Sequence, residues 1–329
     1  MMRYFRWAAL VALLLAVFCF LKNTNLLTKP SGAAPTLLAH RGLAQTYHRD
    51  GLTNETCTAA RIDPPAYSYL ENTIASMRAA FADGADIVEF DVQPTTDGGF
   101  AVFHDWTLDC RTDGHGVTRE HSLADLKKLD IGYGYTADGG KTFPFRGQGV
   151  GLMPSLDEVL AAFPERRFLI NVKSNDPAEG ERLAARLAAL TPQARDRLMV
   201  YGGDKPIETL RRKLPDVAAM SRHSLKSCAV RYLLFGWSGF VPKECRNSLI
   251  ILPSNIAPFA WGWPHKFVRR MNRVGSIVLV AGPYDGSDGA SGIDDPAQFN
   301  ELPAGYDGGV WTNRIDRIAP LARTAAAGR

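Results

Sequence analysis

Internal repeats, C-x-x-C motifs and dense basic stripes are all missing from this chain of 329 residues. Without repeats a solenoid or propeller has no support. Without a C-x-x-C pair a structural zinc site has none either. Without a Lys/Arg stripe there is no electrostatic footprint for a nucleic-acid backbone, and a formal charge of +4 is too small to supply one. Charged residues are 22% of the chain against 46% apolar, a ratio that permits a core and excludes wholesale disorder.

Long apolar runs are scarce too. The one that matters is Trp7 to Leu21, preceded by Arg3 and Arg6 and ended by Lys22. A bilayer crossing needs about 20 residues and a signal-peptide core about 7–15, so the run lies between them. No A-x-A site follows it, and Phe18 stands before Cys19 where a lipoprotein signal would have a small residue. The pattern reads as an uncleaved membrane anchor within residues 1–29, with the rest outside the cytoplasm, on the periplasmic or extracellular side. Secretion after signal cleavage is the alternative. A Pro/Gly/Ala linker, Pro30 to Pro35, leads into one domain over residues 30–329. Of five cysteines, Cys19 lies in the anchor; the other four permit two disulfides in an oxidising compartment. Three pairings are open, and Cys57–Cys110 with Cys228–Cys245 is the local expectation.

From residue 36 onward, short apolar runs alternate with helical segments. Strands are expected at Thr36–Ala39, Asp86–Val92, Phe100–Phe103, Arg167–Val172, Leu198–Tyr201, Val217–Met220, Leu249–Leu252, Ser276–Val280 and Gly308–Trp311. Helices are expected at Glu71–Asp83, Ser155–Ala162, Pro177–Leu190, Pro206–Lys213, His265–Asn272, Pro296–Leu302 and Ile315–Ala325. Alternation of this kind implies a parallel sheet. Leaving out the short Phe100 piece, about eight units fit an α/β fold of the (β/α)8 TIM-barrel type, with a doubly wound open sheet as the rival. Residues 44–70 and 110–151 read as insertions over the C-terminal mouth, and 282–295 as a third mouth loop.

Polar residues gather where strands end. His40-Arg41-Gly42 closes the first strand, Glu89 and Asp91 lie on the second, and His104-Asp105 follows Phe103. Residues two apart on a strand face the same way, so Glu89 and Asp91 share a face, as do Asn171 and Lys173. Carboxylates pointing into an apolar barrel are costly unless paired or bound to a metal. Two carboxylates with an amide oxygen make a hard-oxygen site suited to Ca2+ or Mg2+.

These pieces form an ordered series: His40-Arg41-Gly42, Glu71-Asn72-Thr73, Gly84-Ala85-Asp86, Glu89-Phe90-Asp91-Val92, Asp97-Gly98, His104-Asp105, Leu108-Asp109, Thr112-Asp113-Gly114, Pro154-Ser155-Leu156, Asn171-Val172-Lys173 and Trp311-Thr312-Asn313. The series resembles the glycerophosphodiester phosphodiesterase family and covers most of residues 36–320. The resemblance implies His40 and His104 as the catalytic acid–base pair and Glu89 and Asp91 as ligands of a divalent metal. It implies Asn171 as the third ligand, at a position where many relatives have Glu. Arg41 and Lys173 are implied as substrate-binding cations, with Glu71 in the site network or simply starting its helix. Cys110 departs from the family, where Arg is common, and the 44–70 insertion is a second departure. His48, His115, His121, His223 and His265 have no motif context and read as loop or surface residues. Trp311 reads either as barrel packing or as a substrate contact; Trp261 and Trp263, in the cluster Phe259-Ala260-Trp261-Gly262-Trp263, read as packing, with a membrane-facing or substrate-facing loop as the alternative.

The expected activity is metal-dependent hydrolysis of glycerophosphodiesters to glycerol 3-phosphate and an alcohol. Two readings compete with it. One is a phospholipase of D or C type acting on lysophospholipids or phospholipids at the membrane. The other is a non-catalytic barrel that binds phosphodiesters.

Overall fold

The computed structural model describes residues 2–26, 28–53, 56–286 and 291–327. Positions 54–55 of the first expected insertion, 287–290 of the third mouth loop, and residues 1, 27, 328 and 329 lie outside the described residues.

Nine strands form one sheet: β1 (Thr36–His40), β2 (Ile87–Pro94), β3 (Phe100–Val102), β4 (Arg167–Val172), β5 (Leu198–Gly202), β6 (Ala218–Ser221), β7 (Leu249–Pro253), β8 (Ile277–Ala281) and β9 (Gly309–Thr312). Eight of them run parallel in the order β6-β5-β4-β2-β1-β9-β8-β7, and β3 pairs back antiparallel on the end of β2. The ends of that order, β6 and β7, meet without a ladder. Their seam is bridged by the Ala219 N–H to the Asn247 carbonyl at 3.4 Å and the Ser248 hydroxyl to the Ala219 carbonyl at 3.1 Å. The fold is a nearly closed (β/α)8 barrel, as expected, and not an open sheet.

Strand alternation separates two cores. Leu38, Ile87, Leu169, Met199, Leu279 and Trp311 fill the barrel interior. Their neighbours, among them Val88, Phe90, Phe168 and Ile170, face outward under the helices. Two residues further along the same inward rows stand His40, Glu89, Asn171 and Tyr201, and two beyond Glu89 stands Asp91. The barrel is thus apolar below and charged at its C-terminal mouth.

Side-chain caps set where several helices start. Thr73 caps the helix Ile74–Asp83 through a capping box with Ser76, so Glu71 and Asn72 fall in the turn before it and not inside the helix. Ser155 and Glu158 form another capping box, and Asp176 caps a helix that has Pro177 in its first turn. A helix at Arg222–Phe235 had no sequence expectation. It buries Cys228 and Tyr232 but exposes Val230, Leu233, Leu234 and Phe235, so its apolar residues follow no single face.

The two expected insertions are not independent loops. Ala59, Ile62, Leu126 and Ile131, with Leu108 and Met153 flanking the second segment, make a third, smaller core shared between them, and the Cys57–Cys110 disulfide ties them together. Cys228 pairs with Cys245, and Cys19 is a free thiol. The N-terminal helix, Met2–Asn23, is exposed along most of its length and meets the barrel at its C-terminal end, where Phe18 stacks edge-on to Trp237.

Removing the Cys57–Cys110 link through Cys57→Ser/Cys110→Ser should cost about 2–4 kcal/mol of stability, because the link closes a long chain segment. Urea unfolding checks this. An unchanged midpoint would mean that the small core alone holds the insertions.

Candidate active site

The site begins with a backbone constraint. Arg41 and Gly42 both adopt positive φ, 59° and 83°. A Cβ on Gly42 would stand 2.5 Å from Ser76 Oγ and 2.8 Å from the Ser76 carbonyl carbon, so the chain can turn here only with glycine. The turn leaves the Arg41 carbonyl accepting from the Asn72 N–H at 3.1 Å and from Ser76 Oγ at 3.3 Å. This brings the segment before the Ile74–Asp83 helix under the end of β1.

Asp91 is fully buried and heavily satisfied. Asn72 Nδ2 donates to it at 3.0 Å, and the Asp91 N–H donates back to Asn72 Oδ1 at 3.1 Å. Asn171 Nδ2 donates at 2.8 Å, Arg41 Nε stands at 3.2 Å, and Lys173 Nζ at 3.7 Å. Burial opposes ionisation, but Lys173 and Arg41 outweigh it and hold Asp91 well below the usual carboxylate range. Glu89, equally buried, accepts from the Tyr201 hydroxyl at 2.7 Å. Burial and the nearby Asp91 charge push its carboxyl well above the usual range. Glu89 therefore holds its proton more tightly than an ordinary carboxyl, because the cations at the mouth do not offset its burial and the Asp91 charge.

The histidines flank this pair. Asn313 donates from Nδ2 to Asp294 Oδ2 at 2.8 Å, and a carboxylate only accepts. The Asn313 amide oxygen must then face His40 Nδ1, 2.7 Å away, so His40 carries its proton on Nδ1. Its Nε2 lone pair lies 3.7 Å from Glu89 Oε2. Burial, then Arg41, pull the His40 pKa down to about 3. His104 has a charged partner instead: its Nδ1 lies 2.6 Å from Asp105 Oδ1. Burial and Arg41 lower its pKa as well, and Asp105 opposes them. Asp105 is anchored by Arg111 Nε at 2.8 Å.

Arg111 connects the parts. It is buried, with its guanidinium 3.2 Å from Glu71 and 2.6 Å from the Tyr135 hydroxyl. Glu71 also meets Arg41 at 3.0 Å. The network role of Glu71 is that of a bridge between two arginines. Arg41 accordingly points inward to carboxylates.

A cavity of about 60 Å³ opens beside His40, lined by Arg41, Gln45, Tyr47, Glu71 and Asn313. A second, of about 470 Å³, lies across the mouth, lined by Tyr201, Met220, Leu225, Ile251, Pro253 and Tyr284. Trp311 is packing: it is 2% exposed and lies between the His40 and Tyr201 rings. Trp261 and Trp263 pack against the outer core. His265 is a correction. It is not a loop or surface residue but starts a helix, is 6% exposed and meets Asp307 at 3.3 Å, because the helix lays that face on the barrel.

All the expected site residues converge on the mouth. The site also includes Asp105, Arg111, Tyr201, Asp294 and Asn313, to which the sequence reading assigned no role. Two carried a legible signal, since Asp105 and Asn313 stand within the motif pieces. The other three belong to segments with no chemistry-bearing pattern. Among the described residues, no three His, Cys, Asp or Glu side chains stand together as a ready metal cluster. The donor chemistry nevertheless fits a hard divalent cation: two buried carboxyl groups, one ionised and one whose proton a cation would displace, beside an amide.

A nearly closed parallel barrel with two histidines and two buried carboxyl groups at its C-terminal mouth places this chain among the (β/α)8 barrels that carry a polar site at the strand ends. The sequence model of the Glycerophosphoryl diester phosphodiesterase family matches residues 40–212, just over half of the chain, and the chain belongs to that family. It is 41% identical over 123 residues to a glycerophosphodiester phosphodiesterase of Bacillus subtilis (strain 168), a stretch covering 36% of this chain and 41% of that protein. The chain thus spans about two fifths of the length of the curated relatives it matches. Among solved structures, a glycerophosphodiester phosphodiesterase from Agrobacterium tumefaciens superposes with a TM-score of 0.55 at 22% identity, covering 88% of this chain and 99% of that one. A phosphodiesterase from Oleispira antarctica, solved with sn-glycerol-3-phosphate as product, superposes at 0.53 and 19% identity, covering 88% and 97%. At these identities the structural likeness establishes the fold.

The depressed His40 pKa has a stability consequence. Above the ordinary value of about 6.5 both folded and unfolded states hold a neutral ring. Below it the unfolded chain takes a proton that the buried ring refuses, so His40 favours unfolding as pH falls from about 6.5 towards 3. In metal-free protein, ¹⁵N NMR should show His40 neutral and Nδ1-protonated from pH 5 to 8. A titration midpoint near 6.5 would contradict the burial argument.

Proposed function

We propose that this chain hydrolyses glycerophosphodiesters to glycerol 3-phosphate and an alcohol, with His40 and His104 as the acid–base pair. The observation that carries this reading is the pair of differently partnered histidines on either side of one charged mouth. His40, neutral and bound to an amide oxygen, is suited to remove a proton from the nucleophile through Nε2. His104, oriented by the Asp105 carboxylate at 2.6 Å, is suited to protonate the leaving alkoxide, since Asp105 offsets part of the lowering by burial and Arg41. Lys173, partly exposed at the mouth, supplies a cation to the phosphate oxygens, and Arg41 supplies charge from behind Asp91. Glu89, Asp91 and the Asn171 amide would hold Ca2+ or Mg2+, which when bound would neutralise phosphate charge that builds in the transition state. The names of the curated relatives and the product bound to the Oleispira enzyme support this substrate class.

The N-terminal helix supports a membrane anchor with the barrel outside the cytoplasm, and two disulfides accord with an oxidising compartment. The chain enters the barrel from the end away from the site. Ser31 donates to Asp307, which lies just before β9, while the histidines stand at the other ends of the strands. That direction of entry favours water-soluble, deacylated substrates. The second reading, a phospholipase acting on lysophospholipids, draws on one observation: the apolar lining of the larger cavity at the mouth.

Turnover of glycerophosphocholine should fall by about 10²–10⁴ in His40→Ala and in His104→Ala. EDTA should abolish it, and Ca2+ or Mg2+ should restore it. Asn171→Asp should lower the metal concentration needed for half-maximal rate. Metal-independent turnover, or full rate without either histidine, would overturn the mechanism. A preference for lysophosphatidylcholine over glycerophosphocholine would favour the second reading, and no turnover of either would favour a binding barrel.

A further inference from the structure

We propose that a basic cavity at the foot of the N-terminal helix binds the phosphate of an anionic phospholipid head group. The cavity, about 320 Å³, is lined by Lys22, Lys266, Arg269, Arg270 and Arg273, and among the described residues no carboxylate lines it. It lies outside the catalytic mouth and shares no residue with it.

Part of this charge has a local task. Lys266 Nζ donates to the Leu21 carbonyl at 2.7 Å, and Arg270 donates to the Lys22 carbonyl at 2.8 Å and to Asn23 Oδ1 at 3.1 Å. Arg269 donates to the Lys29 carbonyl. These bonds cap the C-terminal end of the helix and fasten it to the barrel. Carbonyls carry only partial charge, and among the described residues no carboxylate pairs with any of the five cations. The Arg273 guanidinium and the Lys22 ammonium donate no hydrogen bond among the described residues, and both side chains are exposed. Burial, and then the proximity of Arg270 and Lys22, lowers the pKa of Lys266, as expected where like charges crowd together.

The position of the cavity selects the anion. The helix from Arg3 to Asn23 is 21 residues long and apolar. At about 1.5 Å per residue that length matches the hydrocarbon thickness of a bilayer, which places Lys22 and Asn23 at head-group depth. Around this foot, Leu233, Leu234, Phe235 and Phe240 are exposed, and Phe18 packs on Trp237. Apolar side chains beside a cluster of cations match acyl chains beside a phosphate. Arginine at such a site can grip two phosphate oxygens at once.

The inference rests on the reading of the helix as a membrane anchor, so the test separates the two. Alkaline carbonate should leave the full chain in the membrane pellet; release would overturn both. The purified full chain in detergent is then titrated with phosphatidylglycerol, phosphatidylcholine or inorganic phosphate under native mass spectrometry. Phosphatidylglycerol should bind in preference to phosphatidylcholine, and inorganic phosphate should compete only weakly. Lys22→Gln/Arg273→Gln should weaken phosphatidylglycerol binding roughly thirtyfold and leave phosphodiester turnover unchanged. Equal binding of both lipids, wild-type binding by the variant, or full displacement by inorganic phosphate would overturn the lipid site while leaving the anchor standing.

Discussion

Two carboxylates, Glu89 and Asp91, stand fully buried inside the barrel, and much of the mouth is arranged around that cost. An unpaired buried charge is among the most expensive features a fold can carry. Asp91 meets it with Asn72, Asn171, Arg41 and Lys173, which come from the segment before the first barrel helix, from β4, from the end of β1 and from just beyond β4. The left-handed turn at Arg41-Gly42 and the capping of Ile74–Asp83 by Thr73 serve the same end, since they carry Arg41 and Asn72 to it. Glu89 is left less satisfied, with a tyrosine hydroxyl as its close partner. Full compensation at one carboxylate and a raised pKa at its neighbour is the asymmetry on which the proposed cation site rests.

The insertions extend this logic outward. Cys57–Cys110 ties the two segments over the mouth, and the residue after Cys110 is Arg111. Arg111 holds both Asp105, which orients His104, and Glu71, which holds Arg41. A disulfide at the rim and a histidine at the centre are thus joined through one buried guanidinium. The family's common Arg is absent at 110, yet a guanidinium occupies the network from the next position. His40 is oriented from the other side, through Asn313 and Asp294. Each histidine is therefore held by a different loop of the mouth.

Much of this was legible in the sequence. The nine strands fell within a residue or two of their expected places, because buried parallel strands are short apolar runs bounded by turn residues. His40, Glu89, Asp91 and His104 were legible because strand alternation puts charged residues on an inward row, where they require an explanation. The Arg222–Phe235 helix was not legible, since its apolar residues occupy no single face. Nor were Arg111, Tyr201 and Asp294, each an ordinary residue in an uninformative segment.

Local order along the chain determined the barrel class, the inward rows and the identity of the central charged residues, because period-two alternation and capping are properties of neighbours in sequence. Tertiary structure decided how those charges are balanced. The partners of Asp91 lie 19, 50 and 80 residues away. Whether a carboxylate is neutralised, or a histidine carries its proton on Nδ1, depends on which distant side chain arrives within about 3 Å. No pattern of neighbours encodes that distance; closure of the barrel does.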